Sequence, residues 1–157
     1  MEALQLMKSA RVSPEFSVAT KLSAENVAAV AHLGFRSIID VSPNSTGSEN
    51  IAAAARHAFV SYRRIEKKSE KISDDLIQSF CLALGTMEKP VLAFSEDEIC
   101  PATLWAICET KRAEPDVIIE TLIGAGFDIS AFHEIRRELN IYRNKALWSP
   151  VIFAISF

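Results

Sequence analysis

The chain has 157 residues, of which 49% are hydrophobic and 24% charged, which suits one folded domain and excludes disorder as its main state. Seventeen Lys+Arg against twenty Asp+Glu leave a net charge of −3, which excludes a strongly basic nucleic-acid binder on global charge. The 3 cysteines, Cys81, Cys100 and Cys108, are odd in number and lack CxxC spacing. They argue against a disulfide framework or a cysteine zinc site and point to a reducing, cytoplasmic setting.

In chain order, Met1–Ala10 carries Glu2 and Lys8 and lacks a long apolar run, so no signal peptide is expected. Phe16–Ala19 reads as a strand. Ser23 is placed as the cap of a helix over Ala24–Leu33, with Asn26 in its third position and Gly34 as its stop. Ser37–Val41 is a second strand, Ser42–Ser48 a loop, and Glu49–Ala58 a helix. Val60–Ile65 alternates, with Val60, Tyr62 and Arg64 on one side and Ser61, Arg63 and Ile65 on the other. A charged stretch, Glu66–Lys71, precedes a helix over Asp74–Met87 capped by Ser73.

Val91–Phe94 is wholly apolar, as a central buried strand should be. Pro101 is placed first in a helix continuing over Ala102–Lys111. Pro115 opens another helix to about Ile123, and Ser130 caps a last one over Ala131–Tyr142. Strands and helices alternate, so the fold class is α/β, with a short, mostly parallel sheet of four to five strands flanked by helices. Residues 1–145 form a single domain. The uncharged tail Ala146–Phe157 is too short to cross a membrane, which takes about 20 apolar residues. It is expected to pack on the domain or on a partner, including a second copy of the chain.

Ligands of such sheets bind beyond the carboxyl ends of the strands. The strongest candidate is the connection from Val91–Phe94 through Ser95–Cys100 to the helix at Pro101, where backbone N–H groups and the helix dipole favour an anion. Here the run VLAFSEDEICPATLWA resembles the signature region of the cysteine-dependent phosphatases. More closely, it is similar to the small bacterial phosphatase-like domain of beta-lactamase hydrolase-like proteins. Ala102, Thr103, Leu104 and Trp105 match the family's continuation after its signature. Val12–Asp40, the helix start around Ile72–Phe80 and the Gly124–Ser130 turn resemble other family segments in order and spacing. The resemblance implies a cysteine-phosphatase-like fold.

The implied chemistry does not carry over. The family nucleophile is a Cys, and Ser95 occupies its position. The phosphate-binding Arg falls at Cys100, and the candidate general acid at Asn44. A serine hydroxyl lacks the low-pKa sulfur that thiolate attack needs. Loss of the Arg removes a bidentate hold on phosphate, and loss of the acid removes a term worth about 10²–10⁴ in rate. Glu96, Asp97 and Glu98 would each repel a phosphate by about 4 kcal/mol per charge pair at 4 Å and an effective dielectric of 20.

The expectation is therefore a domain without catalysis that acts as a binding or interaction module. Glu96, Asp97, Glu98, Ile99 and Pro101 form its filled anion loop, with a carboxylate of Asp97 or Glu98 in the phosphate position. Arg63 and Arg64 contribute to binding, either paired with Glu96–Glu98 or facing an anionic partner. The alternative is a hydrolase or a sulfur or phosphoryl transferase using Cys100 or Ser95 in the same pocket. No cofactor or metal is expected, since consecutive carboxylates alone do not gather the oxygens a hard cation needs. His32, His57 and His133 fall within expected helices as surface or packing residues. Cys81 and Cys108 are expected in the core, and no residue is assigned as a catalyst.

Overall fold

A computed structural model describes residues 9–43, 47–68, 72–96, 99–128 and 135–143. Five strands form one sheet: β1 (Ser9–Ser13), β2 (Phe16–Thr20), β3 (Ser37–Asp40), β4 (Ser61–Arg64) and β5 (Val91–Ser95), in the order β1-β2-β5-β3-β4. The β2–β5, β3–β5 and β3–β4 pairs are parallel, and β1 is an antiparallel edge on β2. The fold is α/β, as expected. β1 is an addition to the expected strands. Its sequence, SARVS, buries only Val12, so no apolar alternation announces it. Backbone pairing to β2 across the Pro14–Glu15 turn, with a bulge between Arg11 and Ser13, holds it in place.

The helices are α1 (Ala24–His32), α2 (Ser48–His57), α3 (Asp74–Thr86), α4 (Ile99–Glu109), α5 (Pro115–Gly124) and α6 (Ile135–Arg143). Their starts follow the capping residues. The Asn26 side chain accepts the Ser23 N–H at 2.9 Å, and the Ser73 hydroxyl accepts the Leu76 N–H at 3.1 Å. Gly34 follows α1 at φ 99°, a conformation that glycine adopts without strain. α4 starts two residues before the expected Pro101, which is third in the helix and still within its first turn. Ser130 and the expected start of the last helix lie outside the described residues, as does the tail over 146–157.

β5 is the central strand, and all five of its residues are buried. Alternate side chains divide the interior. Leu92 and Phe94 join Val27, Val30, Ile38 and Ile51 under α1 and α2. Val91 and Ala93 join Phe16, Ile77, Phe80 and Trp105 under the other helices. Phe16 stacks on Trp105 with centroids 6.1 Å apart and meets Phe80 edge-on at 6.2 Å.

One expectation is corrected here. Cys81 of α3 and Cys108 of α4 are both in the core, as expected, but they are joined by a disulfide with Cα atoms 5.7 Å apart. An odd count hid a pair, because two cysteines 27 residues apart face each other only once both helices pack on the same side of the sheet. This removes the argument from unpaired cysteines to a reducing compartment, since such bonds persist in oxidising surroundings. Among the described residues no helix is long and apolar enough to cross a membrane.

Candidate functional site

The carboxyl ends of β2, β3 and β5 open onto a pocket of about 270 Å³ lined by Asp40, Ser42, Ser48, Ser95, Glu96 and Lys21, with Leu22, Ile51 and Phe94 as its apolar wall. Parallel register brings these ends together: Thr20 lies opposite Ser95, and Asp40 opposite Phe94. Ser95 ends β5 and is buried, while Glu96 is exposed. Lys21 takes φ 53°, a strained value for a residue with a side chain, and its N–H donates to the Ser95 carbonyl at 3.2 Å. The β2–α1 turn is thereby tied to the end of β5.

α4 begins just beyond Ser95. Ile99 is half-buried, whereas Cys100 and Pro101 are buried. Cys100 is outside the disulfide and packs in the core cluster under α3–α6. Thus the position where the resemblance expects an arginine is buried in the core. Pro101 has no N–H, so the first turn offers one donor fewer to an anion. Asp97, Glu98 and Asn44 lie outside the described residues, and so does the proposed insertion of an Asp97 or Glu98 carboxylate.

A buried, multiply hydrogen-bonded carboxylate at the site is one that the sequence motifs do not point to. Asp40, the last residue of β3, is fully buried. Its carboxylate accepts the Ser42 N–H at 2.9 Å and hydrogen bonds from the hydroxyls of Ser42, Ser48 at 3.2 Å and Tyr62 at 2.6 Å. These donors offset the desolvation of a buried carboxylate. Burial first, and then the bond to Asp40, raise the Tyr62 phenol well above its ordinary pKa. The available signal was a carboxylate closing an otherwise apolar strand, SIID, beside a tyrosine strand.

Arg64 joins this network and Arg63 does not, as alternation along β4 requires. Arg64 donates through Nη2 to the Ser42 carbonyl at 3.0 Å. Arg63 is exposed and lines two other grooves. Neither makes an ion pair with Glu96 among the described residues. His32 and His57 are exposed at the last turns of α1 and α2, and His133 lies outside the described residues. Among the described residues no three His, Cys, Asp or Glu side chains gather as metal ligands.

In solved structures, a candidate phosphatase from Neisseria meningitidis shares the fold at TM-score 0.70 and 20% identity, covering 85% of this chain and 97% of that one. TpbA from Pseudomonas aeruginosa superposes at TM-score 0.60 and 16% identity over 85% of this chain and 86% of its own. The core catalytic domain of the PP-IP phosphatase SIW14 from S. cerevisiae, in complex with citrate, does so at TM-score 0.61 and 15% identity over 92% and 94%. No curated protein matches the chain in sequence. Residues 9–112 match the family described as "Beta-lactamase hydrolase-like protein, phosphatase-like domain". That match covers most of the described chain, including the Ser95 turn between β5 and α4, and the chain belongs to that family of phosphatase-like domains.

Proposed function

We propose that this domain has lost cysteine-phosphatase catalysis and acts as a binding module. The observation that carries the reading is the identity of the residues at the strand-end pocket. A buried serine closes β5, and Cys100, which the resemblance sets at the arginine position, is buried in the core. The buried carboxylate at the pocket, Asp40, is engaged by four donors rather than held ready as an acid. A serine nucleophile needs an adjacent base to take its proton, and no described histidine lines the pocket. The exposed Glu96 adds negative charge at the mouth, which opposes a phosphate dianion. The module's partner is a protein or a second copy of the chain, with the exposed Glu96 and the half-buried Ile99 at the contact.

Purified protein should hydrolyse p-nitrophenyl phosphate no faster than the buffer control. Turnover that disappears in Ser95→Ala would overturn the reading. A transferase built on Cys100 would require rapid alkylation by iodoacetamide at neutral pH. Burial of the thiol supports slow labelling instead.

A further inference from the structure

We propose that the outer edge of β4 is a docking site for an acidic, extended peptide segment of a partner protein, which adds to the sheet as a further strand. β4 ends the sheet, so its outer edge has no strand beside it among the described residues. The Ser61 N–H donates to the Arg36 carbonyl at 3.0 Å, and the Ile65 N–H to the Asp40 carbonyl at 2.8 Å. Ser61, Arg63 and Ile65 therefore turn their backbone groups to β3. Alternation turns the N–H and C=O of Tyr62 and Arg64 outward, where no described residue pairs with them. Both residues are half-buried, and peptide groups partly shielded from water need a partner.

A groove of about 630 Å³ lies along this edge. Its lining comes from both layers that cover the sheet. Arg56 of α2 stands on one side, Met87 and Glu88 beyond the end of α3 on the other, and Tyr62 and Arg63 of β4 between them. The groove thus straddles the place that the next strand would take. Tyr62 packs in the α1–α2 layer and Ile65 in the other, so Arg63 shares the α3 face while Arg56 stands on the α2 face. An added strand alternates its side chains over the same two faces, so acids at neighbouring positions meet one arginine each. Both arginines are exposed, and against Glu88 they leave the groove positive by one charge. That charge selects the occupant. An acidic segment is attracted, whereas a second copy would bring its own Arg56 and Arg63 to the same strip and be repelled. Phe59, directly before Val60 of the lining, is 91% exposed, and aromatic side chains are the usual anchors of such contacts. The groove shares no lining residue with the strand-end pocket.

The test is fluorescence anisotropy of the full chain with a fluorescein-labelled peptide, Thr-Val-Glu-Glu-Val-Thr-Val, at low ionic strength, where exposed charges are least screened. Saturable binding is expected, and replacing both Glu of the peptide by Lys should abolish it. Arg56→Ala and Arg63→Ala should each weaken binding by about fivefold, the scale of an exposed charge pair. Phe59→Ser should weaken it as well. Arg112→Ala removes the same charge from an exposed ion pair with Glu109 of α4 and should leave binding unchanged. A strand turns only alternate peptide N–H groups to its neighbour, so N-methylation of one alternate set should abolish binding and of the other set should leave it intact. In ¹⁵N spectra the amides of Tyr62 and Arg64 should shift. Four results would overturn the site: no binding, equal loss in the Arg112 variant, equal effects of the two N-methylated sets, or release of the peptide as the chain self-associates, which would put a second copy on the edge. None of them alters the p-nitrophenyl phosphate result, so the two proposals fail separately.

Discussion

Asp40 is a carboxylate at the end of an apolar strand, and it is fully buried. Tyr62 reaches it from two positions before its own register partner, because Asp40 pairs with Arg64 and Ile38 with Tyr62. Tyr62→Phe deletes one of the donors and should lower stability by about 1.5–3 kcal/mol, the scale of a hydrogen bond to a charged group, measured by urea denaturation. The pH dependence has a definite sign. Below the ordinary tyrosine pKa of about 10, folded and unfolded chains both hold the phenolic proton. Above it the unfolded chain releases the proton while the folded chain keeps it, so the unfolded state binds fewer protons and stability falls as pH rises. The Tyr62→Phe variant should lose less stability than the parent between pH 9 and 11. Equal slopes for both proteins would disprove the coupling. The site's serines behaved differently as signals. Ser95 was legible from a family motif, whereas Ser48 became a site residue only because α2 starts where its hydroxyl meets Asp40.

At the scale of elements, α3 and α4 are tied twice, by apolar packing under the sheet and by Cys81–Cys108. Closing a loop of 27 residues should restrict the unfolded chain by roughly 3–4 kcal/mol on the chain-entropy account. The Cys81→Ala/Cys108→Ala protein should be destabilised by about that much. Thiol titration provides the direct check: denatured, unreduced protein should present the single thiol of Cys100, and three thiols after reduction. Three before reduction would show that the bond does not form. α4 matters for the site because its first turn follows Ser95. A helix so anchored at its C-terminal end holds that turn in place. The helix itself was readable from ATLWA and a nearby proline, but its start was misplaced by two residues. Cys100 buries in the core and Ile99 packs against it, and together they extend the helix back toward the strand.

Across the whole molecule, β5 is shared by both apolar layers, so the two layers should unfold together. Phe16→Ala, on the α3–α6 side, should cost about 3–5 kcal/mol, and Leu92→Ala, on the α1–α2 side, about 2–5 kcal/mol. Each variant should still melt in one transition that coincides in far- and near-UV circular dichroism. A separate early transition in either would mean that the layers are independent. The amino-acid sequence by itself determined the α/β class, β2–β5, most helix starts and the family, because periodicity, caps and a short motif are local. Through the family resemblance it also raised the expectation that Ser95 and Cys100 stand where the nucleophile and the arginine would be, on which the proposed loss of catalysis rests. Tertiary structure decided the edge strand β1, the disulfide, the Asp40–Tyr62–Ser48 network and the opposite destinations of Arg63 and Arg64. Each of these depends on which distant segments the sheet order and helix packing bring into contact, and spacing along one chain does not encode that directly.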